Sequence, residues 1–498
     1  MDWVADHLLR NVLGWDRVAN VVAWIVTVVF FVNIALSVWI VYSKGRRPNA
    51  ALAWIATLFA IPILGLMAYI VIGENRVGLR RRRRHARIVR QLRDEAIAWQ
   101  DPAVLMRSMS FEDTQLAHLA EKLDAPPVLN GNLVQLTGDP QEQIRWIVED
   151  IDAARESVHL LFYIYELDAT GQEVAQALER AAARGVRVRM LLDGIGSRAF
   201  LRSPQRRALE AAGVRVVEAL PARFFRILVA RIDIRNHRKL LVVDGAVAQT
   251  GSRNIADPSF KESGRLGKGD PYVDSWVRVR GPVVRDLQLI FCEDWELDAR
   301  EPHRDTVTGD PPVLPGGVPV QVIPSGPNFP NAVVPELIQA SIQLARRDVC
   351  LSTPYFIPDD ATVAAMEVAS RRGLRVTLIV PRSNDSIMAA YASRSHFARM
   401  LDAGVEIWEF GDGFLHSKTV LVDDAIAIVT TANLDRRSYE INFESSVVVY
   451  DHAFAQRLRA LQNTYLAGSR RLSAESWARR GRLERLKENF ANLVSPIL

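Results

Sequence analysis

Two short stretches of this chain share one pattern: residues 236–245 read NHRKLLVVDG, and residues 416–424 read HSKTVLVDD. In each, His, Lys and Asp stand at H-x-K-x4-D spacing around an apolar, β-branched run that predicts a buried strand. Because side chains alternate between the two faces of a strand, the His and the Lys of each stretch share a face. Polar groups in a buried strand cost free energy unless they find partners, so packing alone does not explain the pattern.

A single His-x-Lys strand would most simply be a solvated sheet edge, but here the pattern occurs twice. Aligning His237 with His416 gives an offset of 179 residues, and seven of the 18 positions from 237 to 254 are then identical. The residues that trail the motifs also correspond: Gly251, Ser252 and Asn254 follow the first, and Thr430, Thr431 and Asn433 follow the second. The repeat therefore favours one functional role shared by both copies.

The residues before each motif repeat as well. In the first half, a strand pattern at 155–165 precedes a helical pattern at 171–184 and a second strand. In the second half, a strand pattern at 348–357 precedes a helical pattern at 362–372 and again a strand. This order predicts βαβ units on a mostly parallel or mixed sheet.

The chain has 498 residues, which is too long for one ordinary core. We predict two similar lobes related by a pseudo-twofold axis, with both motifs at one central site. The predicted segments are a membrane hairpin at 1–75, a basic juxtamembrane and helical linker at 76–130, a first lobe at 131–308, a Pro- and Gly-rich linker at 309–320 and a second lobe at 321–498.

Composition narrows the class of protein only slightly. Lys and Arg number 62 against 57 Asp and Glu, a net charge of +5 that says little about partners. The only two cysteines, Cys292 and Cys350, exclude a disulfide framework and a Cys-rich zinc site. Two free, buried thiols are the expected state, and the redox compartment stays open.

The amino-terminal region contains two uncharged apolar runs, at about 18–42 and 50–73. Each is long enough to cross a hydrocarbon core of about 30 Å as a helix. A signal peptide and a buried core helix are the alternatives, but the runs are long and lack a small-residue cleavage site. We therefore predict a membrane hairpin, with a kink or a re-entrant bend allowed at Pro62 and Gly65.

Basic residues set the expected orientation. Arg80 to Arg84 are five consecutive arginines, and the positive-inside rule keeps such a cluster in the cytoplasm. Lys44, Arg46 and Arg47, between the two apolar runs, oppose that choice. The larger cluster should prevail, which predicts a multi-pass protein of the cell membrane with a cytoplasmic catalytic region. Beside the membrane, the cluster also favours contact with anionic lipid.

Two His, two Lys, two Asn and two hydroxyl residues at one site would suit a phosphodiester. Lysine, amide and hydroxyl donors stabilise the negative charge that develops in the transition state. One imidazole can attack phosphorus while the other protonates the leaving alcohol. Lysine is not a usual metal ligand and the sequence has no Cys/His cluster, so we predict no metal and no other cofactor.

These residues resemble the phospholipase D superfamily, whose mark is the doubled motif, here HRKLLVVD and HSKTVLVD with the trailing GSRN and TTAN. Within it the chain is similar to the two-motif bacterial cardiolipin synthases, through phrases such as TPYFIPDD, RRSYEINFE and LVSPIL. The implied fold is α/β: two duplicated α/β/α sandwich lobes, preceded by two transmembrane helices. Thr430 and Thr431 replace the Gly-Ser pair, but Thr431 keeps a hydroxyl, so we expect activity to survive.

The resemblance implies a transfer between two phosphatidylglycerol molecules through a phosphatidyl-histidine, releasing glycerol, at the bacterial inner membrane. It assigns His237 as nucleophile and His416 as general acid and base, with the reverse left open. The implied phosphate contacts are Lys239, Lys418, Asn254, Asn433, Ser252 and Thr431. Asp244 and Asp423 belong to the catalytic motifs, where they would organise the site.

A nucleophilic histidine should be held by a carboxylate on its other ring nitrogen. Asp274, in YVDSW, and Glu444, in NFESS, are the candidates, and ordinary sheet-end carboxylates are the alternative. In related enzymes the acidic partner comes from the opposite half, which would pair Glu444 with His237 and Asp274 with His416. Just upstream, residues 223–235 alternate apolar and basic side chains and would either dip into the membrane or form a core strand.

Two other functions stay open at this point. One is a membrane-bound phospholipase D-type hydrolase that releases phosphatidic acid; the other is a non-catalytic membrane scaffold. A nuclease has no obvious use for a membrane hairpin, so nucleic acid is not an expected partner. The expected partners are anionic phosphatidylglycerol and the bilayer, while the acceptor lipid, which could also be phosphatidylethanolamine, and the oligomeric state are left undetermined.

Overall fold

The computed structural model describes residues 15–43, 48–73, 78–99, 105, 109–221, 231, 233–259, 271–302, 311–329 and 333–494. Contacts divide the chain into two compact units. The first, which we call the anchor unit, comprises Met1–Arg76 and Arg223–Ile232, and the second, the catalytic unit, comprises Val77–Ala222 and Asp233–Leu498. Most of the predicted amphipathic stretch at 223–235 lies outside the described residues, so its two interpretations stay open.

The described part of the anchor unit is three apolar helices: α1 (Trp15–Tyr42), α2 (Pro48–Ala60) and α3 (Pro62–Ile72). Within the residues described, one helix is long and apolar enough to cross a membrane, over Val18–Tyr42. The second predicted span is divided between α2 and α3, so two transmembrane helices are not confirmed. The break falls where Pro62 has no N–H to continue the helical ladder.

The chain turns back on itself at this break. The rings of Trp54 and Tyr69 are 5.4 Å apart, although 15 residues separate them in sequence. A Cβ on Gly65 would approach the carbonyl oxygen of Thr57 to 2.5 Å, so glycine permits the two helices to pack this closely. Helices α2 and α3 are therefore a helical hairpin rather than one kinked helix.

In the catalytic unit, fifteen of the described strands form one mixed sheet, in the order β19-β13-β12-β10-β15-β16-β18-β9-β1-β8-β6-β5-β2-β3-β4. The strands are β1 (Leu129–Thr137), β2 (Ser157–Phe162), β3 (Arg187–Asp193), β4 (Arg215–Ala219), β5 (Leu240–Val243), β6 (Val247–Gly251), β7 (Tyr272–Val273), β8 (Trp276–Arg280), β9 (Val318–Ser325), β10 (Asp348–Ser352), β11 (Phe356–Ile357), β12 (Arg375–Pro381), β13 (Glu406–Phe410), β14 (Phe414–Leu415), β15 (Thr419–Val422), β16 (Ile426–Thr430), β17 (Leu434–Asp435), β18 (Glu444–Tyr450) and β19 (Ser469–Arg471).

Helices cover both faces of this sheet. They are α4 (Leu79–Trp99), α5 (Phe111–Lys122), α6 (Pro140–Ala153), α7 (Ala169–Ala183), α8 (Arg198–Leu201), α9 (Pro204–Ala211), α10 (Val284–Asp298), α11 (Val333–Leu344), α12 (Asp360–Arg371), α13 (Ile387–Asp402), α14 (Arg436–Glu440), α15 (His452–Ala467), α16 (Ala474–Ala478) and α17 (Arg482–Val494). Two outer clusters of buried apolar side chains lie under helices of the two halves, and a third joins the halves at the centre.

The duplication is visible in the sheet. Strands β2 and β3 are parallel and enclose α7, and β10 and β12 are parallel and enclose α12, which confirms the predicted βαβ units. The order β1-β8-β6-β5-β2-β3-β4 in the first half matches β9-β18-β16-β15-β10-β12-β13 in the second. The central strands β1 and β9 pair antiparallel, which is the relation that a pseudo-twofold axis requires. The two halves therefore share one continuous sheet.

The two thiols behave as expected. Cys292 and Cys350 are free and buried. Burial raises the pKa of each to about 12, so both thiols stay protonated and unreactive at neutral pH.

Candidate active site

Each His-x-Lys pair lies at the entrance of a strand rather than within it. Strand β5 begins one residue after Lys239, and strand β15 begins one residue after Lys418. The backbone partners come from the other half of the molecule: the His237 N–H donates to the carbonyl of Phe443 at 2.9 Å, and the His416 N–H to that of Val273 at 2.8 Å. The motif backbones therefore join the two halves.

These joints place a carboxylate beside each imidazole. Asn236 forms a β-bridge with Phe443, so Glu444, the next residue, lies beside His237. In the same way β14 pairs with β7, which brings Asp274 beside His416. Nδ1 of His237 lies 2.9 and 3.0 Å from the two carboxylate oxygens of Glu444. Nδ1 of His416 lies 2.7 Å from Oδ1 of Asp274. This is the crossed pairing that the family resemblance implied.

The two lysines are fully enclosed, with exposed fractions of 0% for Lys239 and 1% for Lys418. Each Nζ donates to the carbonyl of its own motif histidine at 2.6 Å. Lys239 also lies over the ring of Tyr163, 5.5 Å from its centroid. Burial lowers the pKa of Lys418 to about 8, although Asp274 and Glu444 oppose the change.

The sequence analysis predicted that the hydroxyls of Ser252 and Thr431 bind phosphate. In the structure both hydroxyls are instead bonded to carboxylates. Ser252 Oγ donates to Oδ1 of Asp274 at 2.6 Å, and Thr431 Oγ1 donates to Oε2 of Glu444 at 2.6 Å. Each hydroxyl thus fixes the carboxylate that holds a histidine. The corresponding bond lengths are equal, so Thr431 performs in the second copy what Ser252 performs in the first.

The Gly-to-Thr exchange before these hydroxyls has a backbone explanation. Gly251 has φ of 151°, and a Cβ there would approach the carbonyl oxygen of Ser275 to 2.3 Å. Thr430, its counterpart, is not among the described residues with positive φ, and its Oγ1 lies 2.7 Å from Oγ of Ser446. The second copy therefore accommodates a side chain where the first copy cannot.

The two asparagines differ in position. Asn433 is buried and lines the cavity beside His237, and its Oδ1 has no hydrogen-bond partner among the residues that the structure describes. Asn254 is only partly buried, and its Oδ1 accepts a 3.3 Å bond from the N–H of Ile164. Asn433 is thus placed to contact a ligand in that cavity.

The motif aspartates lie at the far ends of their strands, away from the imidazoles. The carboxylate of Asp244 accepts from the N–H groups of Arg155, Glu156 and Ser157 at 2.7–2.8 Å. That of Asp423 accepts from the N–H groups of residues 346–348 at 2.7–2.9 Å. A four-residue strand separates each aspartate from its lysine, a span of about 16 Å. Their place among the catalytic residues is therefore corrected: they tie strands together and do not contact the histidines.

Electrostatics links the two motifs at one site. Burial lowers the pKa of His237 well below its ordinary value, and Lys239 and Lys418 lower it further. Burial lowers the pKa of His416 to about 3 and Lys418 adds to this, whereas Asp274 opposes it. Each imidazole responds to the lysine of the other half, so the motifs meet as predicted.

The two carboxylates are perturbed in opposite directions. Burial raises the pKa of Glu444 to about 7, against the lowering effects of Lys239 and Thr431. Burial acts in the same sense on Asp274, but His416, Lys418 and Ser252 outweigh it and hold the pKa of Asp274 below its ordinary value. Asp274 is therefore ionised at neutral pH, whereas Glu444 is partly protonated.

A cavity of about 200 Å³ opens onto His237. Its lining includes residues that the sequence interpretation did not select: Tyr163, Arg235, Tyr355, Arg437 and Asn442. The ring centroid of Tyr163 lies 5.0 Å from that of His237. Two arginines line this cavity, and Lys239 lies over the ring of Tyr163, another lining residue, so the positive charge favours an anionic ligand. Among the described residues, no group of three or more His, Cys, Asp or Glu could hold a metal ion.

Comparisons with known proteins agree with this geometry. The sequence pattern of the family described as "Cardiolipin synthase, PLD-like domain" matches residues 147–265 and 338–464, and that of the "Phospholipase_D-nuclease N-terminal" family matches residues 31–74. The chain is 34% identical over 489 residues to cardiolipin synthase A of Proteus mirabilis, covering 96% of this chain and 99% of that protein. It is 35% identical over 492 residues to cardiolipin synthase A of Yersinia pseudotuberculosis, with the same coverage of 96% and 99%.

A solved structure supports the fold. The crystal structure of phosphatidylserine synthase from Haemophilus influenzae aligns with a TM-score of 0.58 at 18% sequence identity. The match covers 77% of this chain and 100% of that chain. At this identity the likeness speaks for the duplicated architecture alone.

Proposed function

The chain belongs to the bacterial cardiolipin synthases of the phospholipase D superfamily, and on that premise we propose that it converts two phosphatidylglycerol molecules into cardiolipin and glycerol. The observation that carries the proposal is the crossed pairing, with Glu444 on His237 and Asp274 on His416. We propose that each lobe supplies half of the site, the first lobe being residues 131–308 and the second 321–498. Residues 309–320 would connect the two lobes.

The first step is attack by Nε2 of His237 on phosphorus. A P–N bond forms, the P–O bond to glycerol breaks, and His416 gives its proton to the departing oxygen. In the second step the terminal hydroxyl of another phosphatidylglycerol transfers its proton to His416 and attacks phosphorus. The P–N bond then breaks, cardiolipin leaves, and both histidines return to their starting state.

The difference between the carboxylates supports this division of labour. A nucleophilic imidazole must be neutral, and burial together with two lysines keeps the pKa of His237 low. The ionised Asp274 raises the proton affinity of His416, which suits a group that carries a proton through both steps. A bound phosphate anion beside His416 favours its imidazolium form further, because opposite charges stabilise each other.

Lys239 and Lys418 are proposed to bind the phosphate oxygens. Both are buried and lie at one site, so their charges act through little water and stabilise the developing negative charge strongly. Asn433, whose Oδ1 at the cavity wall bonds to no residue in the described part of the chain, is proposed to orient the headgroup. Ser252 and Thr431 contribute by fixing the carboxylates.

The long apolar helix α1 indicates that the protein associates with a membrane. We propose that the catalytic unit lies on the cytoplasmic side of the bacterial inner membrane. Helix α4 supports this: Arg81 pairs with Asp298 at 2.6 Å, while Arg82, Arg83, Arg87 and Arg90 are exposed. One side of the helix thus docks on α10, and its arginine-rich side is exposed, where each contact with an anionic headgroup would contribute about 1 kcal/mol.

The test is turnover of labelled phosphatidylglycerol by the purified full-length protein in detergent. Cardiolipin and free glycerol in equal amounts are expected. Phosphatidic acid without cardiolipin would instead identify a lipid hydrolase, and retained lipid binding without turnover would identify a scaffold. Replacing phosphatidylglycerol as acceptor with phosphatidylethanolamine then determines which headgroup the second step accepts.

A further inference from the structure

Helix α17, near the end of the described chain, carries an exposed apolar face that none of the described residues covers. Leu483, Leu486, Phe490 and Leu493 are 64%, 65%, 60% and 79% exposed. Their spacing places all four within an arc of about 80° on the helix surface. Exposed large apolar side chains occur singly on most soluble surfaces, but an aligned row of four marks an interaction site.

The opposite side of α17 fixes its place beside the active site. Ala491 is buried in a cluster with Ile357, Ala389 and Ala392, so α17 packs against α13. Ile357 and Ala389 also line the cavity at His237. One layer of side chains therefore separates α17 from the cavity in which a lipid headgroup would react.

The size of the cavity determines which part of a lipid it can enclose. Its volume of about 200 Å³ is below the 300–1,000 Å³ typical of pockets that enclose a drug-sized ligand. It can hold a glycerophosphate headgroup, but the acyl chains of a diacyl lipid must stay outside. Those chains remain in the bilayer only if the mouth of the cavity lies at the membrane surface.

We propose that α17 lies in the interface of an anionic bilayer and holds the mouth of the cavity against it. Charge supports this occupant, since Arg482 and Arg485 are exposed beside the apolar row and match anionic headgroups, whereas Lys487 pairs with Glu484 at 2.7 Å. Apolar Leu and Phe residues on one side with basic residues beside them are typical of interfacial helices. The inference rests on the proposed lipid substrate.

The depth of α17 tests the proposal without requiring turnover. Full-length Phe490→Cys protein, labelled with an environment-sensitive dye, is placed in vesicles of phosphatidylcholine and phosphatidylserine. Native Cys292 and Cys350 are buried and should remain unlabelled. We expect blue-shifted emission that lipid-borne nitroxides quench and aqueous iodide does not. Val368→Cys, at an exposed residue of α12, is the control and should show the reverse.

Equal quenching of both labels by iodide would overturn the proposal. So would shielding of Phe490→Cys that appears in detergent as protein concentration rises, because a second copy of the chain would then be the occupant. Failure of the depth test leaves cardiolipin formation in detergent unaffected, so the two proposals fail separately.

Activity gives a second measurement. Leu486→Ser with Phe490→Ser should lower turnover of phosphatidylglycerol in vesicles by about tenfold while leaving turnover in detergent micelles unchanged. Val368→Ser, at a residue 54% exposed on α12, is the control and should change neither rate. An equal loss in vesicles and micelles would contradict an interfacial role.

The anchor unit carries an independent inference about topology. Helices α2 and α3 have 13 and 11 residues, lengths of about 20 and 17 Å that are too short for a core of about 30 Å. The rings of Phe59 and Phe30 lie 6.2 Å apart, so the tip of the hairpin reaches the middle of α1. A hairpin that stops there enters and leaves the membrane on the same side.

A specific hydrogen bond secures this tip. The carbonyl of Leu58 would accept from residue 62 in a continuous helix, but Pro62 has no N–H. Asn33, a buried residue of α1, donates from Nδ2 to that carbonyl at 2.7 Å. An amide inside an apolar unit is expensive unless it satisfies a backbone group, as it does here.

We infer that the chain crosses the bilayer once, through α1, and that α2 and α3 form a re-entrant hairpin. This removes a conflict in the sequence. In a two-span hairpin, Lys44, Arg46 and Arg47 would lie opposite the cluster at Arg80 to Arg84. With a re-entrant hairpin both basic groups face the cytoplasm, as the positive-inside rule requires.

The sidedness of a single residue decides between the two topologies. Ser43→Cys and Glu475→Cys, in separate full-length proteins, are treated with a membrane-impermeant maleimide in intact spheroplasts and after permeabilisation. Ser43 follows α1, and Glu475 is an exposed residue of the catalytic unit. We expect both to react only after permeabilisation; reaction of Ser43→Cys alone in intact spheroplasts would overturn the inference.

A straightened variant provides the internal control. Pro62→Leu with Gly65→Leu restores the missing N–H and removes the close contact with Thr57. The result is one continuous apolar helix long enough to span, so part of the Ser43→Cys label should now appear from outside. An unchanged pattern would show that the break does not set the topology.

Discussion

The two histidine–carboxylate pairs have the same geometry but opposite electrostatics. Glu444 approaches His237 with both oxygens and has a pKa raised to about 7, whereas Asp274 approaches His416 with one oxygen and has a lowered pKa. Each carboxylate accepts a 2.6 Å hydrogen bond from the hydroxyl that trails a motif, and Ser438 also bonds to Glu444. The duplication thus preserved the framework while the charge on the two sides diverged, which is what separate roles require.

The largest expected effect distinguishes the nucleophile from the acid. His237→Ala should remove turnover, a loss of roughly 10⁶-fold, because no covalent intermediate can form. His416→Ala should lose on the order of 10²–10⁴-fold with phosphatidylglycerol, since the leaving alcohol then departs unprotonated. A lipid whose leaving group is nitrophenol needs no proton, so quenched-flow analysis should find phosphatidyl-histidine in His416→Ala. Finding that intermediate in His237→Ala would reverse the assignment.

Substitution of the two carboxylates, Asp274 and Glu444, should also lower kcat to different extents. Asp274→Asn removes the charge that holds His416 in its working tautomer, and a loss near 10⁴-fold in kcat is expected. Glu444→Gln replaces a group that is already partly protonated at neutral pH, so about a tenfold loss is expected. Steady-state kinetics of both variants checks this, and equal losses would refute the electrostatic asymmetry.

The alkaline limb of the pH profile should report Lys418. Burial lowers its pKa to about 8, so its positive charge, and the stabilisation it gives the transition state, are lost as pH rises through that value. We expect kcat/KM to fall up to about tenfold per pH unit above 8. Lys418→Arg stays charged in this range and should lose that limb even if its overall rate is lower. An unchanged limb in this variant would assign it to another group.

The smallest effect on activity is expected at the motif aspartates. Asp244→Asn and Asp423→Asn each present an amide to backbone N–H groups that now share a carboxylate, which should lower the free energy of unfolding by about 1–3 kcal/mol. Asparagine tolerates the positive φ at these positions, 53° and 54°, so the turns survive. Thermal unfolding in detergent should shift downward while kcat changes less than about threefold. A large loss of kcat without loss of stability would return both residues to the catalytic set.

The duplicated motif and the βαβ periodicity were enough to predict the paired lobes and the meeting of the motifs. The family resemblance implied the carboxylate partner of each histidine. The hydroxyl roles were not predictable. Ser252 reaches Asp274 because the Ser252 N–H bonds to the carbonyl of Ser275, a register between β6 and β8 that residue types do not encode. The same holds for Tyr163, just after β2, and Arg437, in α14, which the fold brings to one cavity from distant parts of the sequence.

In the anchor unit, the sequence predicted the apolar segments but not how the chain folds within them. Hydropathy marks residues 50–73 as a span by length, and Pro62 was visible in the sequence as a possible bend. Whether the helix kinks or reverses depends on Gly65 and on the side-chain amide of Asn33, whose contact lies 25 residues away. The local sequence pattern identifies an apolar segment well. It does not show which backbone carbonyl will accept a hydrogen bond from a side-chain amide elsewhere in the chain.

The crossed pairing also has a consequence during synthesis. Glu444 follows His237 by 207 residues, so a ribosome adding about 5–20 residues per second needs about 10–40 s between them. Throughout that interval the growing chain holds its first histidine and lysine without the carboxylate that orients them. A protein whose reaction cleaves membrane lipid thus stays inert while it is being made, and it becomes competent only when the last quarter of the chain has folded onto the first half.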